Sequence, residues 1–506
     1  MRRTIPLLLA AATLLAPAAV RAQSVVATVG RGSPTDPPQF AMIREADLRR
    51  DLTRMAADTF NGREAGTLDE LRASVWLAEQ ARAAGLQPAG DDGTYFQFWP
   101  MRRIRVSSAS TVALGGRPLT LWREAQVLAP TDATVDAAVV WVDATDSATL
   151  GGMDLRGKAV AARVHAPATV PPRWVSLWPW RYTRAALAAT AGPLLARGAA
   201  AVLLVSDSIS DSQYDVLSAY NDRGIYGLDS GSVALPRPAR APVVWLRAGM
   251  LDAVRAPGQR FTARIASESF IYPSVNVVAQ VPGRDAVLKN DYVIFSGHQD
   301  HDGVRWPIDG DSIWNGADDN ASVSVAMLAI GRAFARSPGR RTALFVWHGA
   351  EERGLIGSRW FSAHPTVPRG SIVAVLNGDM IGRNNPDSAA ILGVQPPHRN
   401  SRTLAQMALD ANRRFTHFAI DSTWDEPTHP EGWYFRSDHL PYARAGIPAI
   451  MFSTLLHPDY HTPRDEASRI DYTKLARMTR WIYATGWAVA ETETRPEVEP
   501  GFRLER

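Results

Sequence analysis

The sequence runs to 506 residues, length for about three domain-sized units. Its 46% hydrophobic and 21% charged content excludes a wholly disordered or fibrous chain. With no cysteine, a disulfide framework, a thiolate zinc site and a thiol nucleophile are excluded as well. The formal charge of +4 raises nucleic acid as a partner, and the arrangement of the charges removes it. Without Arg2, Arg3 and Arg21, which fall in the first 22 residues, 52 basic residues face 51 acidic ones. The remainder is scattered arginine interleaved with acids, lacking the basic stripe that a nucleic-acid partner needs.

Residues 1–22 read as a secretory signal: Arg2 and Arg3, an apolar stretch from Ile5 to Val20, then Val20-Arg21-Ala22 as a small-x-small cleavage site. Pro6 and Pro17 interrupt the stretch, and no later segment offers 18 unbroken apolar residues, so no transmembrane segment is expected after the signal is removed. An exported product, periplasmic or secreted, is the expectation. Residues 23–44, rich in proline and glycine from Gly30 to Pro38, are expected to form a mobile lead. Helical patterns follow near 45–60 and 68–84, the second stopped by Gly85.

From about residue 106 to 268 the texture changes. Short β-type runs at 137–142, 159–164, 201–205 and 243–246 alternate with Gly, Pro, Asp and Ser clusters, and His165 is the single histidine. A separate β-rich domain is expected there, interrupting a larger unit made of residues 45–105 and 269–490, with 491–506 as a tail. Beyond Tyr272 the rhythm is strand, loop, helix. Strands are predicted at 275–281, 292–296, 342–347, 371–376 and 449–452, and helices near 321–336, 401–413 and 472–488. Apolar strands alternating with helices imply an α/β fold with a mixed, largely parallel sheet sandwiched by helices. In such sheets ligands bind beyond the carboxyl ends of the strands.

Those ends carry metal-type side chains. Strand 292–296 leads into Gly297-His298-Gln299-Asp300, strand 342–347 into His348-Gly349-Ala350-Glu351-Glu352, and strand 371–376 into Asn377-Gly378-Asp379. The helix near 321 follows Asn315-Gly316-Ala317-Asp318-Asp319-Asn320, and Tyr460-His461-Thr462-Pro463 comes late. An acid after a strand is ordinarily a turn former or a helix cap. One metal site accounts for all five segments together. Two imidazoles and three carboxylates suit Zn²⁺, with Co²⁺ or Mn²⁺ as substitutes. Two such ions can share a carboxylate and a water, and an adjacent carboxylate can take that water's proton and return one to a leaving amine.

These blocks, together with Gly316–Ser322, Glu351–Ser358, Asn61-Gly62-Arg63 and Ser437-Asp438-His439, resemble the zinc aminopeptidases of peptidase family M28. The middle block, with Gly157-Lys158 and Arg197–Val202, resembles the protease-associated domain inserted in many members. The resemblance implies a zinc-exopeptidase-like fold and two Zn²⁺ per chain. It implies Asp318 as the bridging ligand, His298 and Asp379 completing one site, and Glu352 and His461 the other. Glu351 would be the general base and acid acting on a metal-bridged water, and Asp300 the partner orienting His298. The peptide bond of Asp318-Asp319 is implied to be cis. Substrates would be peptides with a free N-terminus. His439 and Tyr460 are candidate substrate contacts, while His301, His348 and His457 read as supporting or packing residues. Trp306, Trp314, Trp424 and Trp433 read as rim packing or an apolar wall for a substrate side chain. Three positions depart from the family pattern: Val323, where glycine is usual, Gly378, where an apolar residue is common, and the variable Gln299. Other readings on this fold are a glutaminyl-cyclase-like acyltransferase, a dipeptidase or carboxypeptidase, and a non-catalytic receptor-like binding protein. Oligomeric state has no signature in the sequence.

Overall fold

In the computed structural model, residues 36–229 and 241–505 are described. The expected signal and most of the lead lie outside them. The end of the lead is docked: Ile43 is buried, its carbonyl accepts from Arg480, and Phe40 packs against Phe415. No helix among the described residues is long and apolar enough to cross a membrane.

Ten strands form the principal sheet. Nine of them are β1 (Phe96–Val106), β2 (Ile225–Leu228), β3 (Ser267–Val281), β4 (Tyr292–His298), β5 (Thr342–His348), β6 (Ile372–Gly378), β7 (Ser388–Leu392), β8 (Ala419–Ile420) and β9 (Ala449–Ser453). Their order across the sheet is β8-β7-β9-β6-β4-β5-β3-β1-β2, and Gln87–Pro88 pairs with β3 off this path. The centre is parallel, with β4 between β5 and β6 and with β6 beside β9. The β3, β1 and β2 flank is antiparallel.

Alternation along the strands gives each face its own core. Val277, Val293, Phe295, Phe345 and Trp347 pack under the helices Glu45–Met55, Leu68–Ala83, Ser322–Arg336 and Tyr472–Glu491. Val278, Ile294, Leu344, Val346 and Val375 point the other way, onto Phe361, Tyr442 and Ala443. The sheet is therefore apolar on both faces, which explains why its central strands read as continuous apolar runs. Helix starts follow the expected chemistry: the Thr67 side chain accepts from the Asp69 and Glu70 amides, and Asp471 accepts from the Lys474 amide.

A second sheet uses residues 111–265. In spatial order its strands are Arg117–Leu119, Thr111–Leu114, Arg260–Ile265, Ala133–Val142, Ala159–Arg163, Ala201–Val205, Val243–Leu246 and Ala125–Val127. The chain leaves the principal sheet at Val106 and returns at Ser267, and these two residues face each other in the β1–β3 ladder. The two ends of the excursion therefore lie side by side.

The block between them is more helical than its sequence texture suggests. It contains the helices Trp178–Ala196 and Tyr214–Arg223 between its strands. It is also not self-contained, because β2 within it pairs with Met101–Ile104 of β1 at the edge of the principal sheet. Short β2 offers four residues with no period to read, and its pairing is set by a partner more than 100 residues away.

Candidate metal centre

The parallel strands deliver their side chains to one end of the sheet. His298 closes β4, Asp379 follows β6, and Glu351 and Glu352 sit on the turn Glu351–Arg353 just beyond β5. Ala350, Met380 and His461 all hold positive φ, at 54°, 52° and 50°. Backbone held in that sparsely populated region is characteristic of functional sites.

Two groups of potential ligands converge here: His298, Glu351 and Asp379 in one, His301, Asp319, Glu352 and His461 in the other. Asp319 reaches both. Its Oδ1 lies 3.1 Å from His298 Nε2 and its Oδ2 lies 3.2 Å from His461 Nε2. Glu352 Oε1 is 3.2 Å from His461 Nε2 and 2.9 Å from His301 Nδ1. Asp379 Oδ1 is 3.9 Å, and Glu351 Oε2 3.8 Å, from His298 Nε2.

The shared acid is therefore Asp319, and the assignment of Asp318 as the bridging ligand is corrected. Asp318 turns away: its Oδ1 accepts from the Gly382 amide at 2.7 Å, and its Oδ2 lies 3.5 Å from His457 Nε2. Neighbouring residues on this loop point in opposite directions because Asp465 grips the loop backbone, accepting from the amides of both Asp318 and Asp319. The cis peptide bond is likewise Asp319-Asn320 rather than Asp318-Asp319.

The role of Asp300 also differs from the expected one. Its backbone carbonyl, 3.1 Å from His298 Nδ1, is the atom that orients the ring, while its carboxylate stands 3.8 Å from the same nitrogen. A carbonyl can only accept, so Nδ1 carries hydrogen and Nε2 faces the acids. The Asp300 carboxylate accepts instead from the amides of Glu351, at 3.0 Å, and Glu352, at 3.4 Å. It anchors the turn that presents both glutamates. Arg63 ties the loop after β4 to the acidic loop, donating to the carbonyls of Gln299, Asn315 and Gly316.

Of the candidate substrate contacts, Tyr460 lies against the His461 ring, its centroid 3.9 Å away, and its hydroxyl accepts from Arg436. His439 is wholly buried and packs edge-on against Tyr434, leaving no surface for a substrate. Trp314 and Trp433 are buried, and Trp306 is exposed on the Gly303–Trp314 hairpin. His301 belongs beside Glu352 and His461, closer to the centre than a supporting reading of the sequence places it. The departures at Val323 and Gly378 form a single substitution in space. A side chain on Gly378 would come within 2.9 Å of Val323, and one on Gly297 within 2.5 Å, so valine on the helix fills room that the two glycines leave. Gln299 is tied down by Ser74 and the Val275 carbonyl.

The donor set fits metal ions. His298 Nε2, both His301 nitrogens and Glu352 Oε1 are buried and, despite the close approaches among these imidazoles and acids, make no well-aligned hydrogen bond, an unusual concentration of unmet polar atoms. Charge points the same way. Burial alone would depress His298, yet Glu351, Asp319 and Asp379 outweigh it and raise that imidazole well above its ordinary range. Burial and the surrounding acids push Glu351 well above the usual carboxylate range, although His298 opposes them. Against its own burial, Glu352 is held down at about 2, chiefly by His461. Asp319, also buried, is held low by His298 and His461. This crowd of buried carboxylates needs positive charge among it.

His348, at the end of β5, behaves as packing: its Nε2 meets the Tyr442 hydroxyl at 3.1 Å, and burial holds its pKa at about 3. A histidine that must stay neutral when folded stabilises the fold fully above its unfolded pKa near 6.5 and loses that contribution as pH falls toward 3. At pH 5 the loss is about 2 kcal/mol. The His348→Gln protein is therefore expected to lose less stability between pH 7 and pH 5 than the wild type, compared by urea unfolding at each pH. Equal slopes would show that His348 takes up no proton on unfolding.

With this geometry in view, the relatives are informative. A model of peptidase family M28 matches residues 276–486, the stretch that contributes every member of both ligand groups. Over that stretch the chain resembles peptidase family M28. Leucine aminopeptidase 1 of Arthroderma gypseum is 27% identical over 313 residues, covering 58% of this chain and 78% of its own. The fold resembles a zinc aminopeptidase from Bacillus subtilis, with a TM-score of 0.58 at 18% identity, over 91% of this chain and 99% of that one. An aminopeptidase from Aneurinibacillus sp. strain AM-1 gives 0.56 at 19% identity, over 91% and 97%. These likenesses to solved structures extend through the second sheet as well as the first.

Proposed function

We propose that this protein is an exported di-zinc aminopeptidase, removing the N-terminal residue of peptides with Glu351 as its general base and acid. The class, a metallo-aminopeptidase of family M28, follows from its relatives. The observation that carries the two-ion reading is Asp319, which sends one carboxylate oxygen to each of two ligand clusters. His298 and Asp379 would hold one ion, Glu352 and His461 the other, and Asp319 both. When bound, such cations polarise a scissile carbonyl and lower the pKa of water.

The rest is the work of this chain's side chains. Glu351 lies in the His298 cluster, 3.8 Å from Nε2, much as Asp379 does at 3.9 Å. Of the glutamate doublet, Glu352 is the acid that meets His301 and His461, which leaves Glu351 as the carboxylate to carry a proton from water to the departing amine. The Asp300 carboxylate keeps both glutamates in place through their amides. Residues 1–22 are proposed as the export signal, and residues 106–268 as an insert of the protease-associated type.

Purified protein supplied with zinc is expected to release the first residue from aminoacyl-nitroanilides and to stop when a chelator is added. Cyclisation of N-terminal glutamine without such release would sink the peptidase reading in favour of a cyclase. A wild-type chain binding no metal would instead favour a non-catalytic binding protein.

A further inference from the structure

Beside the cluster holding His461 lies a buried carboxylate that neither the ligand set nor the proton transfer uses. Asp302, two positions past Asp300, is essentially without solvent contact. Its Oδ2 is 3.5 Å from Nδ1 of His461, on the opposite side of the ring from the Nε2 that faces Asp319 and Glu352. A carboxylate behind a ligating imidazole fixes the ring's orientation and tautomer and raises its basicity.

The partners of Asp302 come from two parts of the chain. Arg353, next to Glu352, donates to its Oδ1 at 3.1 Å, and Arg305 stands 3.7 Å from the same oxygen. The other two partners belong to the excursion between Val106 and Ser267. Tyr220 donates its hydroxyl to Oδ2 at 3.1 Å, and Arg223 pairs with Oδ1 at 3.0 Å. Both sit on the last turn and a half of the helix Tyr214–Arg223, and the Arg223 guanidinium also lies over the Tyr220 ring. That helix leads directly into β2, whose pairing with β1 at the edge of the principal sheet holds the helix end in place.

We propose that the helix Tyr214–Arg223 positions the metal ligand His461 through Asp302, so that the inserted block completes the outer shell of one of the two metal sites. Arg223 and Tyr220 are positioning residues in this scheme. They hold the Asp302 carboxylate in place, and Asp302 in turn aims His461. The chain of contacts gives the insert a direct lever on metal retention, separate from any part it has in admitting substrate.

The proposal rests on the two-zinc reading, and its test separates the two. Zinc affinity of the full chain would be measured by competition with a chromophoric chelator, with occupancy checked by elemental analysis. Asp302→Asn is expected to weaken one of two zinc sites by roughly 10–100-fold while leaving the other as in the wild type. Tyr220→Phe removes only a hydroxyl, keeps every buried charge paired, and is expected to weaken the same site several-fold. Arg223→Met should weaken it further, and Arg223→Lys should recover part of the loss. Unchanged zinc affinity in both Asp302→Asn and Tyr220→Phe, with only thermal stability lowered, would overturn the proposal and leave the two-zinc reading intact. A wild type that binds no zinc would remove both.

Discussion

Replacing Glu351 by glutamine is expected to lower kcat roughly 10²–10⁴-fold, the usual contribution of a general acid–base group, with zinc content unchanged. The variant keeps the size and most of the polarity of the side chain, and it keeps the amide that Asp300 holds, so the turn presenting Glu352 should stay in place. It loses only the capacity to carry a proton. The expectation follows from two observations: Glu352, not Glu351, is the acid of the doublet that meets His301 and His461, and the surroundings of Glu351 press it toward the protonated form. Bound cations reverse that pressure, which is what a base beside a metal centre requires. Steady-state kinetics with elemental analysis on the same sample settles the point. Full turnover would refute the assignment, and lost zinc would make Glu351 a ligand instead.

Exchanging the two neighbouring acids separately is expected to give opposite outcomes. Asp319→Ala should release metal from both clusters, because each loses the oxygen facing its imidazole, and activity should go with it. The loss should exceed the roughly 10–100-fold in affinity that removal of an outer partner costs. Asp318→Asn should retain both ions and most of the activity, since the amide oxygen can still accept from Gly382. Its cost should fall on stability, through a buried group that also faces His457. Zinc content after dialysis against a weak chelator distinguishes the two variants. If Asp318→Asn lost its metal and Asp319→Ala kept it, the assignment of the shared acid would have to be reversed.

Much of the fold was legible before any coordinates. The strands β4, β5, β6 and β9 are long apolar runs that a doubly covered parallel sheet demands, and their predicted limits fall within two residues of those found. The helices Ser322–Arg336 and Tyr472–Glu491 announce themselves by apolar periodicity, the second with Asp471 as its cap. Strands β2, β7 and β8 were not legible. They are short segments at the sheet edges (β2, β8) or next to one (β7), their pairing depends on distant neighbours, and they carry no period of their own.

The same division runs through the site. The sequence determines its chemistry: with no cysteine, histidine and carboxylate are the strong ligands left, and they stand at consecutive strand ends, where an α/β sheet presents its ligands. Position along the chain could not say which way adjacent side chains on an irregular loop would point. Asp318 and Asp319 are indistinguishable as letters, and only the grip of Asp465 on their backbone sends one toward the metals and the other into the core. His301, Asp300 and Asp302 are alike in this respect, since each role is set by partners from remote segments. Arg223 reaches Asp302 from 79 positions away, inside the excursion. Local sequence encodes which groups are available and which elements carry them. The direction of each group is a property of the packed tertiary structure, because contacts between distant segments over-determine loop backbones that have no periodicity to fix them.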